Sequence, residues 1–255
     1  MLTHEYPILE FDPDRDAFIR PERQIQPIDI AEGAVICFFA DAIEKFLTAY
    51  PHKVVANMRA ESITWPIYEV DYKGQRVALV QAMVGAPLAA GHIEEMTAYG
   101  CRKFMACGGC GVLQSDIAVG HLIIPTAAVR DEGTSYHYLP PSREVEMDAS
   151  AITAIEQTLT AHQIPYIKGK TWTTDAFFRE TPAKIKRRKE EGCIAVDMEA
   201  SAFMAVARYN NVQFGQIFYA GDTLGGEVWD NRDWRDRTDI REQVLRLAVE
   251  ACLNM

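Results

Sequence analysis

Residues 196–222 read VDMEASAFMAVARYNNVQFGQIFYAGD, and this stretch decides the fold class. Met198, Ala202, Val206 and Tyr209 recur along one helical stripe, so the spacing predicts a helix over Met198–Tyr209. Asn210-Asn211 ends it, because Asn tolerates the left-handed conformation of a helix terminus. Val212–Tyr219 then returns as a largely apolar strand. A helix feeding straight into a buried strand is the building unit of a layered α/β protein.

The same alternation extends outward in both directions. Downstream, Asp239–Cys252 is helical, packing through Ile240, Val244, Leu247 and Ala251. Upstream, an apolar strand Ala34–Phe39 precedes a helix from Asp41 to Ala49. Tyr68–Tyr72 and Arg76–Val84 read as strands either side of the turn Lys73-Gly74. Ala89–Tyr99 is helical and stopped by Gly100. Lys103–Cys107 is a short buried strand running into Gly108-Gly109-Cys110-Gly111, and His121–Val129 is another strand. Asp148 or Ser150 caps a helix carrying Ile152, Ile155 and Leu159. Thr181-Pro182 opens a basic helix that ends at Gly192. This order predicts a three-layer α/β/α fold with a central mixed sheet. Pro7, Pro13, Pro21 and Pro27 mark residues 1–30 as an N-terminal arm over the body or a neighbouring subunit. Residues 31–255 read as one domain, without repeats or low-complexity linkers.

Composition narrows the function classes. Of 255 residues, 48% are hydrophobic and 24% charged, the balance of a globular chain. The formal net charge of −10 argues against a nucleic-acid partner, since phosphate backbones are bound by basic surfaces. No run approaches the ~20 apolar residues of a membrane helix, and the start lacks a secretory pattern, so no membrane partner and a cytoplasmic protein are expected. Six cysteines then read as free, packed thiols. Cys107-Gly-Gly-Cys110 has no second pair to complete a metal site, so neither metal nor cofactor is expected.

Four element ends carry groups that packing does not require. Gly85-Ala86-Pro87 feeds a helix and permits close backbone approach, suited to an anion or a sugar, or is simply a tight turn. Gly108–Gly111 lets main-chain N–H groups face a ligand with no side chain in the way. Asp197 and Glu199 open a helix, where acidic residues complement the dipole. Glu199 is equally suited to accept hydrogen bonds from two neighbouring ribose hydroxyls, near a carbon that becomes positive if the glycosidic bond breaks. Asp222, at a strand exit, either starts a turn or donates a proton to a departing base.

Taken in order, Gly85-Ala86-Pro87, Gly108–Gly111, Val119-Gly120-His121, Lys170–Asp175, Val196–Ala200 and Gly221-Asp222 resemble the nucleoside phosphorylase superfamily of purine nucleoside and uridine phosphorylases. The resemblance spans roughly residues 30 to 250. It implies cleavage of an N-glycosidic bond through an oxocarbenium-like transition state. It also implies Met198 and Glu199 as the ribose-binding pair, Asp222 as the acid at the base nitrogen, and Trp172 as an aromatic stacking on the base. Trp172 as a plain core aromatic is the other reading. Phe177-Phe178-Arg179 matches only in part the Gln and Arg with which uridine-specific members read a pyrimidine. Members assemble as dimers, trimers or hexamers, so a homo-oligomer is expected, with His4 and Arg59 as candidates to complete a neighbour's site.

The chain departs from this pattern where phosphate should bind. Phe38-Phe39-Ala40-Asp41-Ala42 stands where relatives have Gly-Asp-Pro and a following Arg. Ala106 replaces an Arg and Gly109 a Ser or Thr. Gly85, Gly108, Gly109, Arg59 and Arg130 are the remaining phosphate candidates. Three readings follow. The first is a phosphorylase with inorganic phosphate as co-substrate. The second is a nucleosidase that uses water, and the third a ribose- or base-binding protein without catalysis. Glu199 and Asp222 together argue against the third, because a binder needs no acid facing the base.

Overall fold

A single mixed sheet, part of which closes on itself, positions everything around the site. In the computed structural model, which describes residues 4–255, its order runs β10 (Gln213–Thr223), β6 (Leu122–Asp131), β8 (Tyr166–Thr174), β9 (Cys193–Asp197), β5 (Lys103–Val112), β1 (Gly33–Cys37), β4 (Gln75–Gln81), β3 (Thr64–Tyr72) and β2 (His52–Arg59). A short β7 (Glu144–Glu146) pairs with β6. Because β10 also pairs with β5, the strands β5, β10, β6, β8 and β9 form a ring, and β1, β4, β3 and β2 form an open wing. The pairs β1–β4, β1–β5, β5–β10, β6–β8 and β8–β9 are parallel, while β10–β6 and β5–β9 are antiparallel.

Helices cover the sheet in two groups. α2 (Ala40–Ala49), α4 (Ala149–Ala161) and α7 (Thr238–Leu253) pack together, and α3 (Ala86–Tyr99) packs on α6 (Ala200–Asn210). The layered mixed α/β architecture expected from the alternation holds. The local reasons are visible. Gly85 takes φ 110° before α3, and Gly100 takes φ 135° after it. The Asp148 carboxylate accepts the Ser150 N–H at the start of α4, and Asn211 ends α6 in the left-handed region. α5 (Pro182–Glu190) is capped by Thr181, as its Thr-Pro start predicts. Its basic run is not wholly a solvated face: Arg188 is buried and bonded to Asp131. All six cysteines are free and buried. The arm carries α1 (Pro21–Gln24) and meets the body where the Ile28 N–H donates to the Tyr99 carbonyl.

One expectation is corrected here. The glycine-rich stretch does not leave the sheet after Cys107: β5 runs on to Val112, with Gly108, Gly109 and Cys110 in register with Phe218, Tyr219 and Ala220 of β10. Gly111 pairs with Val196 of β9. The glycines serve packing: a Cβ on Gly108 would lie 2.9 Å from the Phe38 ring, and one on Gly109 would lie 3.2 Å from the Tyr219 ring. No helix among the described residues is long and apolar enough to cross a membrane.

Candidate active site

The ends of β1, β5, β9 and β10 surround a cavity of about 930 Å³. Glu199, Met198 and Asp222 all line it. Two local devices bring them there. At the β9–α6 junction, the Asp197 carboxylate organises the turn. Its Oδ1 accepts the hydroxyls of Thr171 (2.9 Å) and Thr173 (3.0 Å), and its Oδ2 accepts the N–H groups of Glu199 (2.8 Å) and Ala200 (2.6 Å). With both oxygens committed, Asp197 satisfies first-turn donors of α6 and fixes the direction of Glu199. In β10, the ladder with β5 slips between Ala220 and Thr223. This irregularity takes Gly221 and Asp222 out of register and turns Asp222 to the cavity, as bulges beside active sites do.

Glu199 is 6% exposed, and its Oε1 accepts the Gly85 N–H at 2.7 Å. Burial, reinforced by the Asp197 carboxylate, pushes its carboxyl up to about 8. Asp222 is held from the other side: the Trp229 indole N–H donates to its Oδ2 at 2.7 Å. Its Oδ1 lies 3.4 Å from where a Cβ on Gly111 would stand, so the bare glycine leaves the acid room. Glu180, which also lines the cavity, is pushed up to about 7 by burial and then by the Asp222 charge. Phe177 and Phe178 offer exposed rings on the same wall.

Several expected site residues stand elsewhere. Trp172 is fully buried outside the cavity wall, in a small core with Leu113, Val129 and Val196. Its indole N–H donates to Asp131 at 2.9 Å, and Arg188 lies over its ring at 5.3 Å, so it has no free face for a base. Arg130 is buried with all three guanidinium nitrogens bonded, to Ser135, Ser142 and the Leu139 and Pro140 carbonyls. Gly85 spends its N–H on Glu199, and Gly108 lies behind Phe38. Of the two central glycines only Gly109 reaches the cavity. Arg59 ends the edge strand β2, and His4 bonds within the arm; neither lines the cavity.

Trp229, Glu180, Arg235 and Arg241 also line the cavity, though nothing in the sequence marks them. Trp229 sits in an irregular Gly-rich loop, and Arg241 occupies an ordinary helical position, so neither carried a local signal.

Two carboxyl groups set at the carboxyl ends of strands in one cavity stand where α/β proteins bind their ligands. The Phosphorylase superfamily model matches residues 33–254, and the chain belongs to that superfamily. It is 26% identical to the guanosine phosphorylase of Halorubrum lacusprofundi over 202 residues, 77% of this chain and 83% of that one. It is 25% identical to the uridine phosphorylase of Treponema pallidum over 215 residues, 80% of each. Among solved structures, the purine nucleoside phosphorylase from Toxoplasma gondii superposes with a TM-score of 0.77 at 19% identity, covering 89% of this chain and 92% of its own. The AMP nucleosidase from Bacteroides thetaiotaomicron gives 0.70 at 22%, covering 88% and 89%. These two likenesses concern the fold.

Proposed function

We propose that this protein cleaves the N-glycosidic bond of a nucleoside, with water as the nucleophile. The observation that carries the cleavage is that Glu199 and Asp222 line one cavity, each with one oxygen held by the protein. The Glu199 carboxylate accepts the ribose hydroxyls and stabilises the positive charge that grows at the anomeric carbon. Asp222, steadied by Trp229, gives its proton to the base nitrogen as the C–N bond breaks. Water adds its oxygen to the anomeric carbon and returns a proton to Asp222, leaving free base and free ribose. The rings of Phe177, Phe178 and Trp229 line the cavity, Trp229 against Asp222, and suit the flat face of a base.

Water is favoured over phosphate by what covers the glycine-rich strand end. Phe38 and Tyr219 pack on Gly108 and Gly109, and the backbone there is in the β5–β10 ladder. A phosphate dianion would meet aromatic rings where it needs donors. Phosphorolysis is the second reading, favoured by Arg235 and Arg241 on the cavity wall and by the names of the curated relatives. Incubating purine nucleosides and uridine with and without phosphate, and following base and sugar by chromatography, separates the two. Free ribose formed in phosphate-free buffer is the expected result. Base release only with phosphate, together with ribose 1-phosphate, would overturn the hydrolytic step.

A further inference from the structure

The backbone donor that holds the Glu199 side chain comes from a short turn, and a residue outside the cavity spans that turn. β4 ends at Gln81, in register with Cys37 of β1, and the Ala82 N–H still donates to the Cys37 carbonyl. The chain then leaves the sheet through Ala82–Val84 and reaches Gly85, whose φ of 110° leads into α3. Gly85 meets two demands at once. Its N–H donates to Glu199 Oε1 at 2.7 Å, and its carbonyl accepts the Leu88 and Ala89 N–H groups that start α3. Movement of either flank would take that N–H away from the carboxylate.

His92, on the second turn of α3, lies between the two flanks and is 1% exposed. Its Nδ1 is 2.6 Å from the Leu88 carbonyl in the first turn of its own helix, and its Nε2 is 3.1 Å from the Gln81 carbonyl at the end of β4. Trp65 of β3 backs the ring, with centroids 5.6 Å apart. A carbonyl only accepts, so each contact is a hydrogen bond when that ring nitrogen carries a proton, and both together need the imidazolium. Burial favours the neutral ring and the two carbonyls favour the charged one, burial being the larger influence. Charged groups of the surrounding elements are engaged elsewhere. On β3, Glu69 is bonded to Arg76 of β4, to Lys53 and to the Ala31 N–H, and Asp71 accepts the Gly74 N–H. On α3, Glu94 faces Asn210 and Tyr138, and Glu95 feels burial alone. Two main-chain oxygens are therefore the polar partners of the ring among the described residues, and they belong to different elements.

We propose that His92 is a positioning residue for Glu199: its Nε2–H ties the end of β4 to α3 and so sets the Gly85 N–H on the carboxylate. A buried side chain bonded across two elements fixes their relative position. The inference rests on the role given to Glu199 above, and the measurements keep the two apart.

Three variants probe the tie, each checked by thermal unfolding. His92→Phe keeps a ring and removes both donors, His92→Met removes them with a flexible chain, and His92→Gln returns an N–H toward Gln81. The Gly85 N–H favours the ionised form of Glu199, so its loss raises the pH at which kcat/KM turns on. His92→Phe and His92→Met should move that midpoint up by about one unit, a roughly tenfold change in the ionisation constant, and His92→Gln should bring it back. A midpoint unmoved in the Phe and Met variants, whatever their loss of Tm, makes His92 a packing residue and overturns the proposal. Should both variants fail to fold, the native protein decides through the 15N shifts of the His92 ring. A proton on Nε2 between pH 6 and 9 supports the tie, and a bare Nε2 overturns it. If no substrate releases base, or kcat/KM is flat with pH, the reading of Glu199 fails and hydrogen exchange of the Gly85 amide judges the tie alone. Faster exchange in His92→Phe, slowed again in His92→Gln, supports it, and equal exchange overturns it.

Discussion

The two ends of the cavity are built differently. At the β9–α6 junction nearly every polar atom has a partner: Asp197 accepts four hydrogen bonds, and Ser201 donates to Glu132, whose other oxygen takes two backbone N–H groups. At the α2–α7 corner, Arg241 reaches Asp41 and the Trp234 carbonyl only at long range, its Nε has no partner among the described residues, and neither helix has a side-chain cap at its start. A satisfied network holds a side chain in one orientation before substrate arrives. An unsatisfied one leaves its side chains less tightly held. The first end therefore fixes Glu199, and the second is held more loosely.

The largest effects are expected at the two acids. Asp222→Asn removes the proton donor while keeping the Trp229 contact, so turnover should fall by about 10²–10⁴-fold with nucleoside binding retained. Steady-state rates and calorimetric binding check this; unchanged turnover removes Asp222 from the acid role. Glu199→Ala should lower kcat/KM by an amount equivalent to about 2–4 kcal/mol, because the ribose hydroxyls lose a charged acceptor. In the native protein kcat/KM should rise with pH as Glu199 ionises near 8, since the carboxylate is the form that grips the diol. A flat profile between pH 6 and 9, in measurements on the free enzyme's kcat/KM, would contradict that role.

Smaller effects sharpen the contrast. Trp229→Phe keeps the aromatic wall but removes the indole N–H from Asp222, and should cost about tenfold in kcat with KM little changed. A larger rise in KM than fall in kcat would make Trp229 a base contact instead of a positioning residue. Glu199 should also cost stability as pH rises. The unfolded chain releases its proton near the ordinary 4.5 and the folded protein holds it to about 8, so the folded state binds the extra proton across that window. Stability contributed by the neutral form is full below the window and lost through it. Glu199→Gln should therefore match the native protein at pH 4 and exceed it by a few kcal/mol, about 2–4, at pH 8 in denaturant titrations. A constant difference across pH would rule this out.

Much of this was legible in the sequence where the signal is local. The stripe Met198–Tyr209 placed α6, and Asn211 and Gly100 end their helices as expected because backbone preference acts within a few residues. Glu199 and Asp222 were found because each stands at the end of a recognisable element. The polar edge strand β2 was not, since its exposed residues lack the alternation of a half-buried strand. Gly108–Gly111 misled for a different reason. Its β10 partners lie more than a hundred residues away, and no local pattern says whether a glycine serves a ligand or a neighbouring ring. Trp172 was decided by Asp131 and Arg188, which belong to other elements of the fold. Arg241 was invisible because only tertiary structure sets it opposite the end of β1.

The most direct test of the central claim, that Glu199 and Asp222 act on one bound molecule, is a crystal structure of the Asp222→Asn variant soaked with a nucleoside. The expected result places both ribose hydroxyls within hydrogen-bonding distance of Glu199 and a base nitrogen facing residue 222. A nucleoside seated with its sugar away from Glu199, or outside this cavity, would contradict it.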